Sequence, residues 1–276
     1  MKSADTIDDW DEAYGNAAHV RDSASYPPRW QEEAATFRAK LASTGHARIG
    51  IAYAEGPRNS LDLFLPHRTP RGVVVFIHGG YWMRFDKSFW SHLASGPLAH
   101  DFAVAMPSYT LCPDARITAI TQEIGAAITA AASEIGGEIR LTGHSAGGHL
   151  ATRVVTRTSP LARDVAERVT RTVSISGVHD LRPLMRTAMN QTLKIDMREA
   201  LTESPALLEP VADTRLTCWV GEAELAEFRR QNALLANIWK GCGVATTAIE
   251  EPGKHHFSVV EGLADPAHPL VRALCD

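Results

Sequence analysis

The sequence predicts a single α/β domain built on a mostly parallel central sheet with helices on both faces. Strand-like runs alternate with helix-like runs along most of the 276 residues, which indicates parallel pairing through right-handed crossovers. Strand runs such as "GVVVFIHGG" are continuous rather than alternating, the pattern of a strand covered on both faces. Length and composition agree: with 45% hydrophobic and 22% charged residues, one sizeable core can form.

Residues 1–45 read as a polar, helical N-terminal arm. "WQEEAATFRAKLAS" places its apolar residues at helical spacing, and "SYPPRW" breaks it from an earlier short helix. Such an arm packs on the domain, and a functional reading has it border an active-site entrance. "ARIGIAYAE" and "NSLDLFLP" alternate around the turn-like "GPRN" and predict an antiparallel hairpin at one sheet edge. The buried strand "GVVVFIHGG" follows, then a helix over "DKSFWSHLASGPLAH", then the strand "FAVAMPSY". "ITAITQEIGAAITAAASEIG" is a long amphipathic helix that ends at Gly136 and Gly137. "EIRLTGHS" is a strand, "AGGHLATRVVTRT" a helix and "VTRTVSISG" a strand. Residues 181–210 are irregular, with three prolines, and predict a short helical insertion over the active site. The chain closes with strand "LTCWVG", helix "EFRRQNALLANIWKGCG", strand "ATTAIEEPG" and a terminal helix over roughly 258–275. A ligand site belongs beyond the carboxyl ends of the strands.

Composition narrows the function classes. Net charge is −4 and no Lys/Arg block stands out, so no nucleic-acid partner is expected. The start "MKSADTIDDWDEAYG" lacks the basic and apolar runs of a signal peptide. No apolar run approaches eighteen residues, so no membrane span is expected. Cys112, Cys218, Cys242 and Cys275 are scattered and read as reduced thiols, which points to a cytoplasmic location.

Three strand ends carry chemistry. Ser145 sits in G-x-S-x-G between a strand and a helix. A sharp strand-to-helix turn forces its central residue into strained backbone angles and requires tiny neighbours at 143 and 147. It lifts the hydroxyl above the sheet and aims a helix N-terminus at the reacting centre. "HGGYW", residues 78–82, follows "VVVFI". Small residues there can turn two N–H groups toward one oxyanion, so Gly80 and Tyr81 are assigned as donors with Ala146 as a third. His78 buttresses that loop. After the last strand, "KHHFSVV" offers a base. His256 is preferred to His255 because Phe257 can anchor the loop. Adjacent histidines alone are poor evidence for a metal site, and no metal is expected. Where a nucleophilic serine occupies such a turn, the chain order is Ser, acid, His. Glu224 is favoured, then Glu222, with Asp180 as a rival. Glu227 reads as a first-turn residue that complements the next helix dipole.

"HGGYW", "GHSAGGH", "SGVHDL", "VGEAELAEFRRQN" and "HHF" resemble the α/β-hydrolase fold, and within it the kynurenine formamidase (arylformamidase) branch and the HGG-type esterases. "AYGNAAHV" is also similar to that branch, so the resemblance spans nearly the whole chain. It implies Ser145 as nucleophile, His256 as base and Glu224 as acid. The family more often has Asp at 224, and Ser where this chain has Asn232. The implied activity is cofactor-free hydrolysis of a small-molecule ester or amide by a serine hydrolase, through an acyl-enzyme. Trp82 and Phe257 are expected to touch substrate, with Tyr81, Phe85 and Trp90 nearby. Arg84 is a candidate for holding a substrate carboxylate. A general short-chain carboxylesterase and a non-catalytic binding protein of this fold are the alternatives. A monomer or homodimer is expected.

Overall fold

A computed structural model describes residues 6–276. Eight strands form one sheet: β1 (Ala47–Ala52), β2 (Ser60–Phe64), β3 (Gly72–Ile77), β4 (Phe102–Pro107), β5 (Glu138–His144), β6 (Val169–Ile175), β7 (Arg215–Gly221) and β8 (Ala245–Glu251). Their order is β1-β2-β4-β3-β5-β6-β7-β8. The β1–β2 and β2–β4 pairs are antiparallel, and every later pairing is parallel. The expected hairpin therefore forms the antiparallel edge. The β1–β2 register shifts between Arg48 and Ile51, where the Gly50 N–H donates to Asp62 Oδ1 at 2.9 Å.

The described helices are α1 (Trp10–Tyr14), α2 (Asn16–His19), α3 (Tyr26–Ser43), α4 (Ser95–Ala99), α5 (Ile117–Glu134), α6 (Ala146–Arg153), α7 (Arg163–Ala166), α8 (Asn190–Leu193), α9 (Met197–Glu203), α10 (Ala226–Gly241) and α11 (Pro269–Cys275). The central strands divide their side chains between two cores. Val73, Val75 and Ile77 of β3 join one core with residues of α5, α6 and α10. Val74 and Phe76 join the other with Trp30 of α3 and Leu270 of α11. This is the period-2 alternation of a strand, buried on both faces. Helix α5 turns Ile117, Ile120, Ile124 and Ile128 inward, and burial of each such side chain contributes about 1.5–3 kcal/mol.

Prolines explain where helices depart from the sequence reading. Pro27 and Pro28 occupy the first turn of α3 rather than breaking it, since proline lacks only an N–H that is unpaired there in any case. The helix expected over 86–100 is instead two 3₁₀ turns, Lys87–Phe89 and Ser91–Ala94, followed by α4. Pro97 cannot donate back along a longer helix. Pro266 and Pro269 likewise split the expected terminal helix into a 3₁₀ stretch, Val259–Ala264, and α11. The first five residues of the predicted arm lie outside the described residues. The remainder of the arm folds as α1 to α3.

Candidate active site

Ser145 follows β5 and precedes α6 with φ 57° and ψ −117°. A non-glycine residue rarely occupies this region, and its surroundings must hold it there. The Ser145 N–H donates to the Ile175 carbonyl at 2.8 Å, and the Ser145 carbonyl accepts from the His149 N–H. The flanking glycines are required by close approach. A Cβ on Gly143 would stand 2.3 Å from the Gly147 carbonyl oxygen, and one on Gly147 would stand 1.9 Å from that of Ile77.

The loop after β3 turns through successive positive-φ residues: Gly80 at 109°, Tyr81 at 53° and Trp82 at 56°. The N–H groups of Met83 and Arg84 both donate to the Gly80 carbonyl at 3.0 Å. Among the described residues, the N–H groups of Gly80, Tyr81 and Ala146 meet no protein acceptor. Backbone donors left unpaired in this way can form an anion-binding concavity where they converge. His78 braces the loop as expected. Its Nδ1–H donates to the Gly79 carbonyl at 2.8 Å, and its ring stacks on Tyr109 with centroids 4.3 Å apart.

His256 lies after β8, and its Nδ1 stands 2.6 Å from Glu224 Oε2. Glu224 Oε1 accepts from Ser176 Oγ at 2.5 Å and from the Gly221 N–H at 2.8 Å. The carboxylate thus meets three donors while almost wholly buried. The neighbouring His255 faces elsewhere. Its Nε2 pairs with the Tyr26 hydroxyl at 3.1 Å, and its Nδ1 accepts from the N–H groups of Phe257 and Ser258. The other acids are engaged away from the imidazole. Glu222 is exposed and accepts from the Gly253 N–H. Asp180 forms a fork with Arg182. Glu227 lies in the first turn of α10, bonded to Arg230 and the Tyr14 hydroxyl.

Sequence reasoning missed the part played by His144. Its Nε2–H donates to the His256 carbonyl at 2.8 Å, and its ring lies 4.7 Å from the His256 ring. Burial holds its pKa well below the ordinary histidine value, so it stays neutral beside the imidazole it anchors.

Ser145, His256, Gly80, Tyr81 and Arg84 line one cavity of about 610 Å³. Ser145 Oγ and His256 Nε2 make no direct hydrogen bond among the described residues; bonds of this kind commonly tighten only with substrate in place. Phe85, Trp90 and Phe257 give the cavity aromatic walls. Trp82 does not reach them. Its side chain is fully buried in the core, edge-on to His149, so the expected substrate contact gives way to a packing role. With φ positive at 80, 81 and 82, the loop turns tightly enough for the Met83 and Arg84 N–H groups to reach the Gly80 carbonyl. Of residues 181–210, only Met189 lines the cavity. About half the wall comes from arm residues between Asp11 and Trp30.

Three further buried histidines make the fold acid-sensitive. Burial lowers His78 to about 4 and His149 and His179 to about 3. Below the unfolded value of about 6.5 the unfolded chain binds protons that the native chain refuses. The stability from these groups is therefore complete above pH 6.5 and falls as pH drops toward 4. Each contributes a slope of about 1.4 kcal/mol per pH unit in that window. Thermal melts between pH 7 and 4 are expected to show a steadily falling midpoint; an unchanged midpoint contradicts the assignment.

Among the described residues, no cluster of three or more His, Cys, Asp or Glu is arranged to hold a metal ion. Nor is any helix long and apolar enough to cross a membrane. A family model described as BD-FAE matches residues 61–212, more than half of the chain. The chain belongs to the BD-FAE family. This BD-FAE member is 27% identical over 248 residues to a protein named kynurenine formamidase from Danio rerio, covering 87% of the chain and 84% of that relative. A crystal structure of a thioesterase candidate from Silicibacter sp. tm1040 superposes with a TM-score of 0.93 at 47% identity, covering 97% of this chain and 99% of that one. An esterase from Pyrobaculum calidifontis superposes with a TM-score of 0.66 at 19% identity, covering 92% of this chain and 90% of that one; that likeness shows the fold alone. The fold is that of the α/β-hydrolases. At the level of the family, these relatives support a hydrolase of the esterase or formamidase type.

Proposed function

We propose that this protein is a serine hydrolase that cleaves small-acyl carboxylic esters or aryl formamides of the N-formylkynurenine type through an acyl-enzyme. The observation that carries the reading is the 2.6 Å contact of Glu224 with His256 on the cavity that Ser145 also lines. Glu224 holds the Nδ1 proton and leaves Nε2 free as a base. His256 takes the Ser145 proton as the oxygen attacks the carbonyl. The N–H groups of Gly80, Tyr81 and Ala146 receive the oxyanion. His256 then protonates the leaving group, and water repeats both steps on the acyl-enzyme.

The aromatic walls suit a flat leaving group, and the relative named kynurenine formamidase supports the formamide. Thioesters are a second reading, favoured by the 47% identical thioesterase candidate. A panel of N-formylkynurenine, p-nitrophenyl acetate, p-nitrophenyl butyrate and an acetyl thioester tests the choice. Turnover of the formamide alongside the acetate is expected. Negligible formamide turnover discards that substrate class, and a dominant thioester rate moves the assignment to the second reading.

Arg84 lines the cavity, is exposed, and has no ion-pair partner among the described residues. Arg84→Gln is expected to raise KM for N-formylkynurenine about fivefold, the scale of an exposed ion pair worth about 1 kcal/mol. KM for p-nitrophenyl acetate, which has no carboxylate, is expected to stay unchanged. Equal effects on both substrates would remove Arg84 from this role.

A further inference from the structure

The residues that hold Tyr81 come from the far end of the chain. Its hydroxyl donates to the Tyr14 carbonyl at 2.6 Å and accepts from Asn16 Nδ2 at 3.0 Å. Asn16 is only 2% exposed, a burial that an amide tolerates when it is hydrogen-bonded. The tether continues inward. The Tyr14 hydroxyl donates to Glu227 Oε1 at 2.6 Å and accepts from Gln231 Nε2 at 2.9 Å. Gln231 Oε1 in turn accepts from the N–H groups of His179 and Asp180. Glu227 and Gln231 belong to α10, which begins two residues after Glu224. One polar chain thus runs from the helix beside the acid, through the arm, to the loop whose N–H groups are unpaired. If the arm had only to pack, apolar side chains at 14 and 16 would serve.

We propose that Tyr14 and Asn16 are positioning residues that act through the Tyr81 side chain to aim the Tyr81 N–H at the oxyanion. The inference rests on the reading of Ser145 as the nucleophile. Tyr81 is held at φ 53°, a conformation that persists only where its surroundings over-determine it. The N–H to Gly80 bonds fix the turn that follows. The phenol tether fixes the residue itself. Burial pushes the Tyr81 phenol upward in pKa, so the hydroxyl keeps the proton it donates to Tyr14. A donor displaced by a fraction of an ångström loses transition-state stabilisation while leaving ground-state binding intact.

Tyr81→Phe keeps the N–H and deletes the tether, and Asn16→Ala removes one of its partners. For each, kcat on p-nitrophenyl acetate is expected to fall about 10- to 100-fold with KM within about twofold. The rate of labelling by an organophosphonate, a tetrahedral mimic, should fall in parallel. The double variant should lose no more than the worse single one, because the groups act as a unit. If Tyr81→Phe does not fold, Asn16→Ala carries the same test. A folded variant with kcat within threefold of wild type overturns the proposal, as does a loss confined to KM. Wild-type labelling is read separately: a wild type that neither labels nor turns over ester removes the nucleophile assignment itself, whatever the variants do.

Discussion

Ser145→Ala is expected to lower kcat by about 10⁴–10⁶ on any substrate the protein turns over. In the proposed reaction the alcohol is the attacking atom, and among the described residues no other hydroxyl stands at a strained strand-to-helix turn on the cavity wall. What remains should be the slow reaction of water in a cavity that still presents its backbone donors. The fold should be untouched. Alanine accepts the same φ about as poorly as serine does, and Ser145 is anchored through its N–H to Ile175 and its carbonyl to His149. Steady-state kinetics beside a thermal melt check both halves. Activity within tenfold of wild type would contradict the assignment.

Glu224→Gln should be nearly as severe, about 10³–10⁴ in kcat, the scale seen when a triad acid becomes its amide. The carboxylate accepts from His256, Ser176 and the Gly221 N–H. An amide cannot serve that set. With its NH₂ toward His256, it forces the proton onto Nε2, where it blocks the base. With its NH₂ toward Gly221, two donors face each other in a buried site, which costs about 1–3 kcal/mol. Glu222→Gln and Asp180→Asn should each stay within about twofold, since neither side chain touches the imidazole. A Glu222 or Asp180 variant as impaired as the Glu224 variant would overturn the choice among the three acids.

Much of the site's placement was legible because the chain spells its backbone demands. Gly143 and Gly147 mark a turn in which carbonyls approach within 2.3 Å of any added Cβ. The "HGG" run marks a loop that must reach positive φ. The apolar strands gave the sheet and, with it, the edge where the loops converge. The orientation of side chains on those loops was not legible. Trp82 points into the core with its φ at 56°, and nothing in "HGGYW" distinguishes that from a ring in the cavity. The arm was legible as a helix and illegible as a wall. Helical spacing says which face is apolar, yet Tyr26 and Trp30 meet Phe257 only through tertiary packing. His144 carried no signal at all, since any residue fits between Gly143 and Ser145 in the motif. Its hydrogen bond to His256 spans 112 residues.

In the proposed mechanism the Ser145 oxygen becomes covalently acylated during turnover. Intact-mass analysis after treatment with a short-chain organophosphonate, followed by peptide mapping, addresses it directly. One adduct per chain on the peptide that contains Ser145, absent from Ser145→Ala, is the predicted result. An active protein that takes up no adduct, or takes it up on another residue, would contradict it.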